Sequence, residues 1–145
     1  MEDNNTKKAE QSVEEHFAHE FTPKDMVSFL LGNGFTVDQI EGRIAESSDY
    51  VKTCLADSRP LTDDLDQSLF LLKNLYLKEQ IKSYLRASPF MGINKGAERL
   101  GISRKVYEFN YNSLIKSGEV KFVIETPDWG DVGKNKVPLR RHIVK

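Results

Sequence analysis

Residues 93–120 read INKGAERLGISRKVYEFNYNSLIKSGEV, and two short helices joined by a tight turn are written into that order. Asn94 stands where a cap is expected for a short helix containing Ala97 and Leu100. Gly101 supplies a turn that needs a positive φ or a close backbone approach, Ile102 packs inward, and Ser103 caps the next helix. Gly118 ends that helix. Within it Tyr107, Tyr111, Leu114 and Ile115 fall at i, i+4, i+7 and i+8, which is one buried face. Ser103, Arg104, Lys105, Glu108, Phe109 and Asn112 lie on the exposed or N-terminal side. A rigid helix packed on one side and carrying donors on the other is what reading a DNA major groove requires.

Downstream, Val120 to Thr126 is β-rich, residues 127–133 (PDWGDVG) are turn chemistry, and Val137 to Val144 is a second extended run. Two strands directly after such a helix form a hairpin, with Lys134 and Lys136 at its tip and Arg140 and Arg141 on its return strand, placed to clamp backbone phosphates. Trp129 is expected to pack the hairpin onto the domain, the alternative being a wedge toward sugar, and Pro138 marks the last strand as an edge. The run Ala97–Leu100–Gly101–Ile102–Ser103–Arg104 resembles the helix-turn-helix of Fis and of the C-termini of NtrC-type activators over about 25 residues. That resemblance implies Arg104 and Lys105 on phosphate or guanine, and Asn112 on a base edge or phosphate. Tyr107 and Phe109 depart from the usual recognition helix of that family, so its base-contact pattern does not carry over.

Upstream, Thr62 to Ala87 is the longest helical pattern. Asp63, Asp64 and Asp66 are expected in its first turn, and Lys78, Lys82 and Arg86 toward its end, as the helix dipole favours. Leu65, Leu69, Leu72 and Tyr76 form one stripe, and Phe70, Leu71, Leu75 and Leu77 widen it nearly all round. Such a helix is buried on most sides, either at a subunit interface or between two units of one monomer. Its 67–87 portion is expected to serve as the first helix of the winged unit.

Thr22-Pro23-Lys24-Asp25 starts an earlier helix, with Met26, Phe29 and Leu30 as its stripe and Gly32-Asn33-Gly34 as its stop. Thr36 with Gln39 makes a capping box for a second, carrying Ile40 and Ile44. Ser47 opens a third, with Val51 and Leu55 inside, and Ser58-Arg59-Pro60 closes the unit. The residues Leu30, Leu31, Gly34, Thr36, Ile40, Ile44, Ser47, Val51 and Leu55 resemble the helix-turn-helix of LuxR-type and sigma-type regulators. The face that reads DNA in those regulators carries Glu46, Ser48, Asp49 and Lys52 here, and residues 22–57 hold 3 basic against 6 acidic groups. Carboxylates aimed at phosphates repel and release no counterions, so this unit reads as a protein-contact or dimerisation module.

The formal net charge of −1 hides a cancellation. Residues 1–72 carry 6 Lys and Arg against 15 Asp and Glu, a net of −9, and residues 73–145 carry 15 against 7, a net of +8. The basic half invites a polyanionic partner; alternatively the halves attract one another or a second subunit. At 145 residues the chain suits one domain or two small ones, and a mean hydropathy of −0.51 makes for a lean core. Cys54 stands alone, so no intrachain disulfide is possible, and it is expected as a small core group. His16, His19 and His142 are scattered, no phosphate-cradling glycine loop occurs, and no nucleophile–base pair is proposed. Gly92, Gly96 and Gly101 read as dispersed turn residues.

The expectation is therefore a mainly α protein with a C-terminal β-hairpin: tandem helix-turn-helix units joined by a long helix, the second a winged helix. Residues 1–21 are expected as an acidic, partly disordered tail whose Val13, Phe17 and Phe21 form a conditional amphipathic helix capped by Ser12 and Glu15. Residues 22–60 form the protein-contact unit and residues 61–145 the DNA-binding unit. The function expected is a sequence-selective transcriptional regulator of double-stranded DNA, not an enzyme, without cofactor or metal. It is expected to be a homodimer, with a possible protein partner for its acidic half. It is expected in the cytoplasm, associated with the nucleoid, with no membrane contact, since the longest apolar stretch is too short to span and no apolar leader is present. The rival is an adaptor or anti-regulator whose helical units bind protein.

Overall fold

A computed structural model describes residues 21–44, 49–62, 65–125 and 138–145. Among them lie six helices and one pair of antiparallel strands. The tail before residue 21, Ser47, Asp63, Asp64, Trp129, Lys134 and Lys136 fall outside the described residues.

Helix α1 (Pro23–Gly32) opens as its sequence dictates: the Thr22 hydroxyl accepts from the Asp25 amide at 3.0 Å, and Pro23 occupies the first turn. Helix α2 (Val37–Ile44) is held by a reciprocal capping box. The Thr36 amide donates to Gln39 Oε1 at 2.9 Å, and the Gln39 amide donates to Thr36 Oγ1 at 3.1 Å. Helix α3 (Tyr50–Leu55) gets no side-chain cap from its own Asp49. Instead the buried Glu41 carboxylate, ten residues upstream, accepts from the Val51 amide at 3.2 Å. The three helices close into a unit where Lys24 N–H donates to the Asp57 carbonyl and Leu61 N–H to the Phe21 carbonyl. Phe21, expected in the tail, is buried, its ring edge-on to Tyr76 at 5.4 Å.

Helix α4 (Gln67–Ala87) begins later than the apolar pattern suggested, because Asp66 is extended and its carboxylate caps the Leu69 amide at 2.8 Å. Asp66 is therefore a cap rather than a first-turn residue. The two apolar cores divide this helix between them. Leu72, Leu75, Tyr76 and Leu77 join Met26, Val27, Leu30, Ile40, Ile44 and Val51 in the first core. Ile81 and Leu85 join Leu100, Tyr107, Tyr111, Leu114 and Val120 in the second. Ile102 is packed against both. Most of the apolar circumference of α4 is thus covered by the chain itself, while Phe70, expected to widen the buried stripe, stays 49% exposed.

Helices α5 (Ile93–Leu100) and α6 (Arg104–Ser117) follow, then β1 (Val120–Glu125) and β2 (Leu139–Val144). The strands pair antiparallel, from Val120 opposite Val144 to Glu125 opposite Leu139. The cap of α5 is Gly92, not Asn94; Asn94 already lies in the first turn. Gly96 is no turn residue either. It sits inside α5 where the Tyr107 ring crosses, and a Cβ at that position would overlap the ring. Lys82, nearly buried on α4, donates to Glu119 just after α6 at 3.3 Å and pairs with Glu79 at 2.6 Å. Burial alone would raise the Glu119 carboxyl. The Ser117 hydroxyl, Lys82 and the charge of Arg43 on α2 outweigh it and hold the group below its ordinary value. No helix among the described residues is long and apolar enough to cross a membrane.

Candidate nucleic-acid interface

The α5–α6 connection takes only three residues because Gly101 adopts a left-handed conformation, φ 66° and ψ 31°. Ser103 then caps α6, its Oγ accepting from the Val106 amide at 3.2 Å. That hydroxyl, a candidate for DNA contact, already serves the helix start. Tyr107, Tyr111 and Leu114 anchor the inner face, each buried aromatic or leucine contributing about 1.5–3 kcal/mol. The outer face carries Arg104, Lys105, Phe109 and Asn112 exposed, and Glu108 half-buried. Arg104 and Glu108 form a loose pair at 3.8 Å across one turn.

One residue on this helix was not anticipated. Asn110 is fully buried against α4, its amide donating to Asn74 Oδ1 at 3.2 Å and to the Val106 carbonyl at 3.0 Å. It lies three positions from Tyr107 and four from Leu114, so the helical period placed it on the buried face despite its polarity. Asn110 Oδ1 and the Tyr107 hydroxyl are buried polar atoms without a hydrogen-bond partner among the described residues. Burial, with Tyr111 beside it, pushes the Tyr107 phenol up to about 12.

The two arginines of β2 differ in circumstance. Arg141 Nε donates to Glu125 Oε1 at 2.6 Å across the strand pair, so its charge is already matched. Arg140 lies 4.4 Å over the Phe122 ring and donates to the Tyr111 hydroxyl at 3.3 Å, with no carboxylate in ion-pair range among the described residues. The Tyr111 hydroxyl lies 2.8 Å from His142 Nε2, and His142 Nδ1 lies 2.7 Å from the Pro89 carbonyl. A carbonyl only accepts, so Nδ1 carries the proton and Nε2 accepts from tyrosine. The His142 amide donates to the same carbonyl at 2.8 Å, pinning β2 to the link between α4 and α5. Burial chiefly, with Arg140 adding to it and the Pro89 carbonyl opposing, lowers the His142 pKa. His142, scattered in the sequence, is thus a structural residue, and no cluster of metal-ligating side chains occurs among the described residues.

The structure brings Arg104 and Arg140 to one cleft, from different elements. Lys105 lines another groove, beside Phe109 and Val106 on α6 and Phe70 and Lys73 on α4. Arg141 lines neither of the two. No protein-family model matches the chain, and no curated protein or solved structure matches it.

Proposed function

We propose that the chain is a sequence-selective, double-stranded DNA-binding transcriptional regulator that reads the major groove with α6 and grips phosphates with the strand pair. One observation carries this reading: α6 is fixed by its aromatic inner face, preceded by a short helix and a tight turn, and turns Arg104, Lys105 and Asn112 to solvent. In this reading α4 (second half), α5 and α6 are the helical part of a winged helix and β1–β2 its wing. Arg140 is its strongest phosphate contact, being held over Phe122 and by Tyr111 with no carboxylate in ion-pair range among the described residues, and Arg141 contributes less because Glu125 already holds it. Ser103 sets the helix start with its hydroxyl oxygen, and the hydroxyl proton is left for a phosphate or base contact.

The test is selection of bound duplexes from a random pool by the full chain, followed by comparison of Arg104→Ala and Lys105→Ala on the enriched and scrambled sequences. A base-reading Arg104 costs about 1–3 kcal/mol on the enriched sequence and relaxes selectivity there. A phosphate-contacting lysine weakens both sequences alike and lowers the salt slope by about one. Equal losses for both variants on every sequence remove the base-reading role.

A second reading has its own observation. Phe109 is 59% exposed and shares the groove with exposed Phe70, an apolar patch that suits a protein partner better than phosphates. Loss of a partner or of self-association in Phe109→Ser, with no duplex binding by the unaltered chain, supports the adaptor reading.

A further inference from the structure

The cleft shared by Arg104 and Arg140 holds about 500 Å³ and is bounded by the first turn of α5, the start of α6 and β2. Lys95 joins the two arginines on its wall, and no Asp or Glu lines it among the described residues. The cations there are only loosely matched elsewhere: Arg104 to Glu108 at 3.8 Å and Lys95 to Glu98 at 4.0 Å, both pairs exposed to solvent. Arg140 is stacked on Phe122 and held by Tyr111, which leaves its guanidinium pre-organised. Three cations and no carboxylate among the described residues lining the concavity select an anion, and guanidinium forks match phosphate oxygens.

The remaining surface narrows the ligand further. Phe90, Met91, Ile93 and Leu139 form an apolar shelf in the same cleft. Its volume lies within the range of small-molecule sites, about 300–1,000 Å³, and exceeds what a lone phosphate fills. A phosphodiester passing over the surface would meet the cations and leave the shelf bare.

We propose that this cleft binds a small phosphorylated ligand of mononucleotide size, its phosphate held by Arg104, Arg140 and Lys95 and its flat apolar part laid on Phe90, Ile93 and Leu139. The site shares Arg104 and Arg140 with the duplex contact proposed above, so ligand and duplex would compete for them, and ligand binding is measured without DNA. In the full chain, adenosine 5′-monophosphate, adenosine and inorganic phosphate are titrated separately by calorimetry or amide chemical shifts. Saturable binding of the monophosphate is expected, at least about tenfold tighter than either part alone. Arg140→Gln and Lys95→Gln should each weaken it about tenfold or more, while Lys121→Gln, an exposed cation on β1 away from the cleft, leaves it unchanged. Lys95 is on the surface, so its variant reports on the site even where Arg140→Gln disturbs the fold. Absence of saturable binding at about 10 mM overturns the proposal. So does equal weakening by Lys121→Gln, which is diffuse charge attraction, or equal affinity for adenosine, which leaves the cations without a role.

Discussion

Gly96 and Tyr107 carry the contact between α5 and α6, and position 96 admits no side chain while the ring stays where it is. Gly96→Ala gains about 1 kcal/mol of helix propensity but overpacks a core that holds Tyr107 1% exposed, and overpacking costs about 1–3 kcal/mol. Net destabilisation is expected in a denaturant titration. Gly42→Ala, in α2 with open space around it, should stabilise by up to about 1 kcal/mol. Equal shifts at both positions would mean the ring does not fill the notch. Tyr107→Phe removes a buried hydroxyl that has no partner among the described residues, so the expected change is neutral or slightly stabilising. A loss above about 2 kcal/mol would show that the hydroxyl is bonded. His142 sets a pH dependence. Its native pKa is lowered, so the unfolded chain takes up the proton more readily. The stabilisation is full above the unfolded value of about 6.5 and is lost as pH falls through the lower native one. Stability measured from about pH 8 to about pH 5 should decline, and His142→Gln should flatten that decline. An unchanged slope in the variant contradicts the buried neutral imidazole.

At the level of the elements, starts and stops were legible wherever the capping group is local. Thr22, Thr36 with Gln39, Ser103, Gly101 and Gly118 all do what their position in the chain announces. The signal failed where the partner is distant in sequence. Helix α3 takes its cap from Glu41, whose carboxylate no short-range pattern links to Val51. Glu41→Ala should cost about 1–2 kcal/mol by leaving the Val51 amide unsatisfied in a buried setting, read by thermal melting. The buried Asn110–Asn74 pair and the Tyr111–His142–Pro89 chain escaped for the same reason, since residues 31 to 53 apart meet only in the folded molecule. The exposed face of α6 was readable from period alone, but the neutralisation of Arg141 by Glu125 required the strand register. So did the meeting of Arg104 with Arg140 in one cleft.

The whole molecule is organised around α4, which gives Leu72, Leu75 and Leu77 to one core and Ile81 and Leu85 to the other. Ile102 touches both, and the charge of Arg43 on α2 acts on Glu119 beyond α6. Among the described residues, the two cores are therefore joined through one shared helix. A single cooperative unfolding transition is expected by calorimetry and by circular dichroism alike, and two separated transitions would contradict the shared helix. Removing residues 1–61 would uncover the first-core side of α4, so function is best measured on the intact chain. The most direct measurement is binding of the full chain to random-sequence duplex DNA across a salt series. Linear loss of log affinity with log salt, with a slope reduced by about one in Arg140→Gln, is the result expected of a phosphate-gripping surface. No binding even at about 50 mM salt would contradict DNA recognition by α6 and leave its exposed face to a protein partner.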